Sequence, residues 1–184
     1  ENEKSRDHTE NMLLTNSKVI TIKKKKKKII RIHGKNQLNP ININVPGDPS
    51  SAAFFVAMTL LNKNSSLIIK NVGLNNTRIG FYKILKKQRA KIKYKNFKRI
   101  NNELRGDIIV TSCKIKPILA DKSFYVNSTD EYPILFVIAA LTKGTSIFRG
   151  IDDLVNKESN RIIEMQKILG QVGIKSKFSK SILK

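Results

Sequence analysis

Val45-Pro46-Gly47-Asp48-Pro49-Ser50-Ser51-Ala52-Ala53-Phe54-Phe55 is the stretch whose reading decides the fold, because an altered copy follows later in the chain. The copy runs Asp130-Glu131-Tyr132-Pro133-Ile134-Leu135-Phe136-Val137-Ile138-Ala139-Ala140-Leu141. In both, an acidic residue and a proline open an apolar run. That is a helix-start pattern, in which a carboxylate caps free N–H groups and proline occupies the first turn. Each run breaks at small polar residues and gives way to a strand-like piece: Leu67-Ile68-Ile69-Lys70-Asn71-Val72, then Ser146-Ile147-Phe148-Arg149-Gly150-Ile151. A polar loop ending in arginine follows, Asn75-Asn76-Thr77-Arg78 and Glu158-Ser159-Asn160-Arg161, and leads into an amphipathic helix. Leu85 and Leu169 close those helices, so the period is roughly eighty residues and the chain is built from repeated α/β units.

The other elements follow from local pattern. Residues 1–4 read as a ragged start, and residues 5–14 as a loop feeding a short helix that Ser5 or Asp7 could cap. The runs 19–22 and 29–32 read as strands, joined by the six lysines 23–28 as a solvated connection. Ile41-Asn42-Ile43-Asn44-Val45 alternates like a half-buried strand. Helices are predicted from Pro49 to about Leu61, from about Thr77 to Gln88, from after Asp130 to near Gly144, and from about Ser159 to Leu169. Runs 90–94 and 107–112 read as paired strands with the polar stretch 96–105 between them, and a last strand-like piece lies at 174–178.

Composition narrows the function classes. The 184 residues suffice for an ordinary domain with a core, and 40% hydrophobic content with clear periodicity argues against disorder. No apolar run approaches the ~20 residues needed to cross a bilayer, and no charged-then-apolar leader opens the sequence. The lone cysteine, Cys113, excludes an internal disulfide framework and fits a reducing cytoplasm. A formal charge of +22 would ordinarily suggest nucleic acid. Yet 28 lysines stand against 8 arginines, amid abundant Asn and Ile, the skew that an AT-rich genome imposes everywhere. Arginine forks and interleaved aromatics, the usual equipment for reading bases, are scarce. No nucleic-acid partner and no membrane are expected. Neither His33 nor Cys113 has a partner at metal-ligand spacing, so no metal is assigned.

Five motifs occur in order: Ser5-Arg6-Asp7-His8-Thr9-Glu10, the Val45 to Phe55 stretch, Asn71-Val72 with Asn75-Asn76-Thr77-Arg78, Asp130-Glu131-Tyr132-Pro133, and Lys157-Glu158-Ser159-Asn160-Arg161. Together they resemble the 5-enolpyruvylshikimate-3-phosphate synthase family, the 3-phosphoshikimate 1-carboxyvinyltransferases of aromatic amino acid biosynthesis. The resemblance implies a cytoplasmic transferase, monomeric when complete and without a cofactor, that moves the enolpyruvyl group of phosphoenolpyruvate onto shikimate 3-phosphate. It also implies two lobes, each of three βαβαββ units, with substrates bound between them. Residues 1–45 would end one lobe, and 46–184 would supply two units of the other. Family members are more than twice as long, so the chain reads as an internal fragment, expected to be inactive and aggregation-prone alone. Its Phe54 and Phe136 helices would lack neighbours.

The resemblance also assigns roles. Asp130, locally a helix N-cap, would accept the shikimate hydroxyls and take the proton of the attacking 5-hydroxyl. Lys157 would contact shikimate 3-phosphate, and Arg161 would grip phosphoenolpyruvate with paired N–H donors. Glu158, locally a first-turn acid, would help move protons at the enolpyruvyl carbon. Arg6 would reach the shikimate phosphate. Apart from the resemblance, His8 reads as structural, and Arg78, the repeat partner of Arg161, reads as a structural residue closing the loop before its helix. The chain departs from the family pattern at Val155-Asn156 (commonly Arg-Val), Asn160 (Asp), Asn76 (Pro) and Arg89 (Gly). The sister family acting on UDP-N-acetylglucosamine is the nearest alternative, but it needs a reactive cysteine in a mobile loop, and Cys113 lies in a strand-like run. A basic nucleic-acid-binding module is the alternative of a different class, separable by salt-sensitive retention on DNA.

Overall fold

The computed structural model describes residues 4–16, 18–24 and 28–184, with Lys24 described by its backbone alone. His8–Leu13 form a six-residue helix, α1. Asp7 stands at its N-cap position without capping it; the carboxylate is drawn instead to Lys4 at 2.7 Å and Asn75 at 2.7 Å. Ile20–Lys24 (β1) and Lys28–Ile32 (β2) pair as the antiparallel hairpin that the sequence predicts. The lysines 25–27 of its connection lie outside the described residues, as do residues 1–3 of the ragged start. The alternating Ile41 to Val45 run is not a strand. Side chains, in place of a neighbouring strand, hold two of its carbonyls: Arg105 donates to the Asn44 oxygen at 2.6 Å and Asn101 to that of Asn42 at 2.8 Å.

The first repeat unit begins at Gly47, which bridges Val72 in parallel. Pro49–Leu61 form α2, and Asp48 accepts the Ser51 N–H at 2.8 Å as the predicted cap. Ser66–Gly73 (β3), Gly80–Lys87 (α3), Lys91–Ile100 (β4) and Glu103–Thr111 (β5) follow. The sheet order is β3-β5-β4, all antiparallel. The polar stretch 96–105, expected as a connection, is mostly strand. Its polarity reflects an exposed hairpin arm, and only Asn101 and Asn102 turn, with φ of 50° and 63°. Asparagine tolerates that left-handed conformation, which a two-residue hairpin loop demands.

Helix α3 starts three residues later than predicted, because Asn75 Oδ1 accepts from the Thr77 N–H at 2.9 Å and holds a turn there. Gly80 then lets the helix abut the loop before Asp130: its N–H donates to Asn127 O at 2.9 Å, and a Cβ would lie 2.6 Å from that oxygen. Beyond the helix end, Arg89 has φ +70°, which explains why glycine suits this position. Arg89→Gly is expected to stabilise the fold by about 0.5–1 kcal/mol, relief of left-handed strain less the entropy of a freer unfolded chain. Urea unfolding measures it; destabilisation would show that the arginine side chain contributes more than its backbone costs.

Leu119–Ala120 (β6), Tyr132–Ala140 (α4), Ile147–Arg149 (β7), Arg161–Gln171 (α5), Phe178–Ser179 (β8) and Ile182–Leu183 (β9) form the second unit. The order β6-β7-β9-β8, with β6 parallel to β7, reproduces the first unit with Gly47 in the place of β6. The fold is α/β, two βαβαββ units related by a repeat. Leu85 and Leu169, both buried, lie two residues before the ends of α3 and α5. The expected strand at 174–178 is reduced to β8, which pairs with β9.

One apolar core runs through both units. Helix α2 buries three alanines, Ala52, Ala53 and Ala57, beside Val56 and Leu60, and the small residues let it pack closely in the shared core. Its larger residues Phe54, Phe55 and Met58 stay more than half exposed, at 63%, 55% and 55%. The expected lack of neighbours therefore holds for Phe54 but not for Phe136. Phe136 is 2% exposed and meets the Phe148 ring edge-on, centroids 4.9 Å apart, so the repeat's second sheet supplies the cover that the sequence did not reveal.

Candidate active site

Asp130 sits in the one-turn 3-10 segment Thr129–Glu131 that leads into α4. Three contacts fix this turn: Ser128 Oγ donates to Phe124 O at 2.6 Å, Thr129 Oγ1 to Tyr125 O at 2.8 Å, and the Gly80 N–H to Asn127 O. The N-cap reading of Asp130 does not hold, since Glu131 occupies the cap position of α4 and no side chain caps that helix. Glu131 and the first helical residue, Tyr132, separate Asp130 from Pro133, so the Asp130 carboxylate lies one residue before the cap position of α4. It accepts instead from Arg6 Nη2, in an ion pair spanning 124 positions of sequence. Both side chains remain partly open to solvent, 49% for Arg6 and 42% for Asp130.

Glu131 beside it points inward and is 4% exposed. It accepts from Ser50 Oγ at 2.5 Å, and the same hydroxyl lies 2.5 Å from Arg78 Nη2. Burial raises the Glu131 carboxyl above its ordinary range, opposed by the Ser50 hydrogen bond and the Arg78 charge. Arg78 also pairs with Asp48 at 3.1 Å. It therefore fastens its loop to the start of α2 instead of closing that loop on itself. Sequence reasoning passed over Ser50 and Glu131, although the adjacent pair Asp130-Glu131 was the available signal.

The second charged group lies before and in the first turn of α5. Lys157 pairs with Asp153 at 2.8 Å, and Arg161 with Glu158 at 2.8 Å. Asn160 Oδ1 accepts the Ile163 N–H at 3.1 Å, so asparagine here caps the helix as aspartate would. Glu158 is largely exposed, and its own backbone N–H and the Arg161 guanidinium hold its carboxyl below the usual range. Asp153 is another residue the sequence did not flag: hydrogen bonds from Lys157 and then Tyr125 hold it low. Tyr125 joins the two groups, since its hydroxyl donates to Asp153 at 2.7 Å while its carbonyl anchors Thr129. Among the described residues, no ion pair joins Asp130 directly to Lys157, Glu158 or Arg161. His8 contacts Glu103 at 2.8 Å, away from this group. Cys113 lies two residues past the end of β5 and so outside the strand-like run expected for it, where it accepts the Lys91 N–H at 3.3 Å. Among the described residues, no cluster of three His, Cys, Asp or Glu could hold a metal, and no helix is long and apolar enough to cross a membrane.

Two like-ordered βαβαββ units, with charged candidates gathered at their helix starts, define a repeat-built α/β protein. The family model for EPSP synthase (3-phosphoshikimate 1-carboxyvinyltransferase) matches residues 1–183, and the chain belongs to that family. It is 40% identical over 171 residues to the 3-phosphoshikimate 1-carboxyvinyltransferase of Zymomonas mobilis, covering 92% of this chain and 38% of that protein. The corresponding Aquifex aeolicus protein is 37% identical over 172 residues, covering 92% and 40%. A solved EPSP synthase from Acinetobacter baumannii superposes with a TM-score of 0.88 at 33% identity, over 100% of this chain and 41% of that one. The chain thus spans about two fifths of the length of the curated relatives it matches.

Proposed function

We propose that these residues are part of an enzyme that joins phosphoenolpyruvate to the 5-hydroxyl of shikimate 3-phosphate and releases phosphate. Asp130 takes the hydroxyl proton, and the oxygen adds to C2 of phosphoenolpyruvate while the C3 methylene gains a proton. Elimination of phosphate from this tetrahedral adduct, with loss of a proton from C3, restores the C2=C3 double bond and leaves the enol ether. Glu158 serves the proton transfers at C3, Arg161 holds the phosphoenolpyruvate carboxylate, and Lys157 and Arg6 bind shikimate 3-phosphate. Residues 1–45 belong to one lobe and 46–184 to the other, and the complete enzyme is a cytoplasmic monomer.

The observation that carries this reading is the Arg6–Asp130 pair. A cation from the start of the chain and an acid from the second unit meet on a partly open surface without a buried structural role. A phosphate, with its greater negative charge, would draw Arg6 off Asp130 and free the carboxylate to serve as base. The Tyr125 hydroxyl that ties Asp153 and Lys157 to the Asp130 turn supports placing both groups around one ligand pair.

The test replaces the matching segment of the Zymomonas mobilis relative with this chain and follows phosphate release with both substrates present. The folded chimera is expected to turn over, and the 184 residues alone are not. Catalysis here needs charges converging on both anions in a preorganised field, and most of the protein lies outside this chain. A folded but inactive chimera would show that the departures at Val155, Asn156 or Arg89 have removed function. Turnover by the chain alone that vanishes in Asp130→Ala would place the whole site within it.

A further inference from the structure

The segment carrying Arg6 is fastened to the first unit by a polar cluster that the proposed reaction does not use. Glu103, first residue of β5, draws together His8 Nδ1 at 2.8 Å, Asn11 Nδ2 at 3.0 Å and Asn75 Nδ2 at 3.1 Å. The same Asn75 amide nitrogen donates to Asp7 at 2.7 Å, and Asp7 is only 9% exposed. Burial alone would raise the Asp7 carboxyl, but hydrogen bonds from Lys4 and Asn75 outweigh it and leave it below the usual range. Asn75 is itself held, since its Oδ1 accepts from the Thr77 N–H and hydroxyl at 2.9 and 2.8 Å. Asn102 adds a hydrogen bond to Asn11 O at 3.2 Å. Of the side chains on the Arg6 segment, His8 and Asn11 thus share one acceptor of the first unit, Glu103 Oε1, and Asp7 takes one donor, Asn75 Nδ2, while Arg6 reaches across to Asp130 of the second.

We propose that Glu103 and Asn75 are positioning residues for substrate binding: through Asp7 and His8 they fix the backbone next to Arg6, and so aim its guanidinium at the phosphate of shikimate 3-phosphate. This rests on the role assigned to Arg6 above. Neither residue contacts substrate. Their contribution is that a long, rotamer-rich side chain is presented from a fixed root, which reduces the ordering required when the anion binds. The fixed root also explains why Asp7 gives up capping α1, because its carboxylate serves the junction between segments.

The chimera tests it through Glu103→Ala, Asn75→Ala, Arg6→Ala and the double variant Glu103→Ala/Arg6→Ala, with thermal unfolding run alongside. Glu103→Ala and Asn75→Ala should each raise KM for shikimate 3-phosphate about three- to tenfold, and leave KM for phosphoenolpyruvate nearly unchanged. In the Arg6→Ala background Glu103→Ala should add nothing, because a residue acting through Arg6 has no effect once Arg6 is gone. The inference is overturned if Glu103→Ala leaves the shikimate 3-phosphate KM unchanged, if its effect adds in full to that of Arg6→Ala, or if both KM values rise together. Should Glu103→Ala fail to fold, Glu103→Gln keeps an acceptor for Asn75 and is expected to shift the same KM by less. An Arg6→Ala variant with unaltered kinetics would instead sink the assignment of Arg6 itself, and the two failures remain distinguishable.

Discussion

Replacing Asp130 with alanine in the chimera is expected to lower kcat by about 100- to 10,000-fold, the usual worth of a general base. KM for shikimate 3-phosphate should move far less, and the Arg6 contact gives the reason. On the proposed assignments, the carboxylate and the incoming substrate phosphate would compete for one guanidinium, so removing the carboxylate would cost the hydroxyl contact but release Arg6 for the phosphate. The two effects on binding oppose each other, whereas nothing replaces the lost proton acceptor. Asp130→Asn separates the roles further, since it keeps a hydrogen-bonding side chain without a base. Steady-state kinetics at saturating phosphoenolpyruvate decide the matter. An unchanged kcat in both variants removes Asp130 from the chemistry, and a KM effect larger than the kcat effect makes it a binding residue only.

Arg161→Ala should weaken phosphoenolpyruvate binding by roughly 10- to 100-fold, from loss of a charged hydrogen bond worth about 1.5–3 kcal/mol. Shikimate 3-phosphate should be less affected. Arg161 now neutralises Glu158 at 2.8 Å, so the variant also removes one of the influences that keep the Glu158 carboxyl low, leaving its own backbone N–H and the Lys157 charge. A depressed carboxyl stays ionised further into acid. Without Arg161 it takes up its proton at higher pH, and any acidic limb of the rate profile set by Glu158 moves upward in pH. Equal losses for both substrates, with a lowered melting temperature, would indicate collapse of the turn before α5 and count against a direct contact.

The repeat was legible because it is written in residue types whose local physics is strong. Asp48-Pro49 starts a helix whatever surrounds it, and the apolar run after Asp130 has no alternative to burial. Those signals gave the unit order and the register of Leu85 and Leu169. Other features depended on partners distant in sequence. Ile41 to Val45 alternates as a strand should, yet the groups that satisfy it are the side chains of Asn101 and Arg105. Phe136 looked unpartnered until Phe148 folded over it. At the site, Asp130 and Arg6 could each be picked out, but their meeting could not. Glu131 had only its adjacency to Asp130 to mark it, and Ser50, Asp153 and Tyr125 carried no pattern of their own, since single polar residues show a role only when the chain brings their partners within 3 Å.

The distances along the chain also set an order of assembly. The β4–β5 hairpin pairs Lys91 with Thr111 around a two-residue turn, so its closure is local and rapid, whereas the Arg6–Asp130 contact must close a loop of 124 positions. During synthesis Glu103 emerges before Asp130, and its contacts with His8, Asn11 and Asn75 can be complete while the second unit is still being made. The cation is then already berthed when its acid arrives. On the role proposed for Arg6, an anion reaching the chain at that stage would meet the guanidinium before Asp130 competes for it, so a nascent chain would be expected to bind phosphate there more readily than the finished fold.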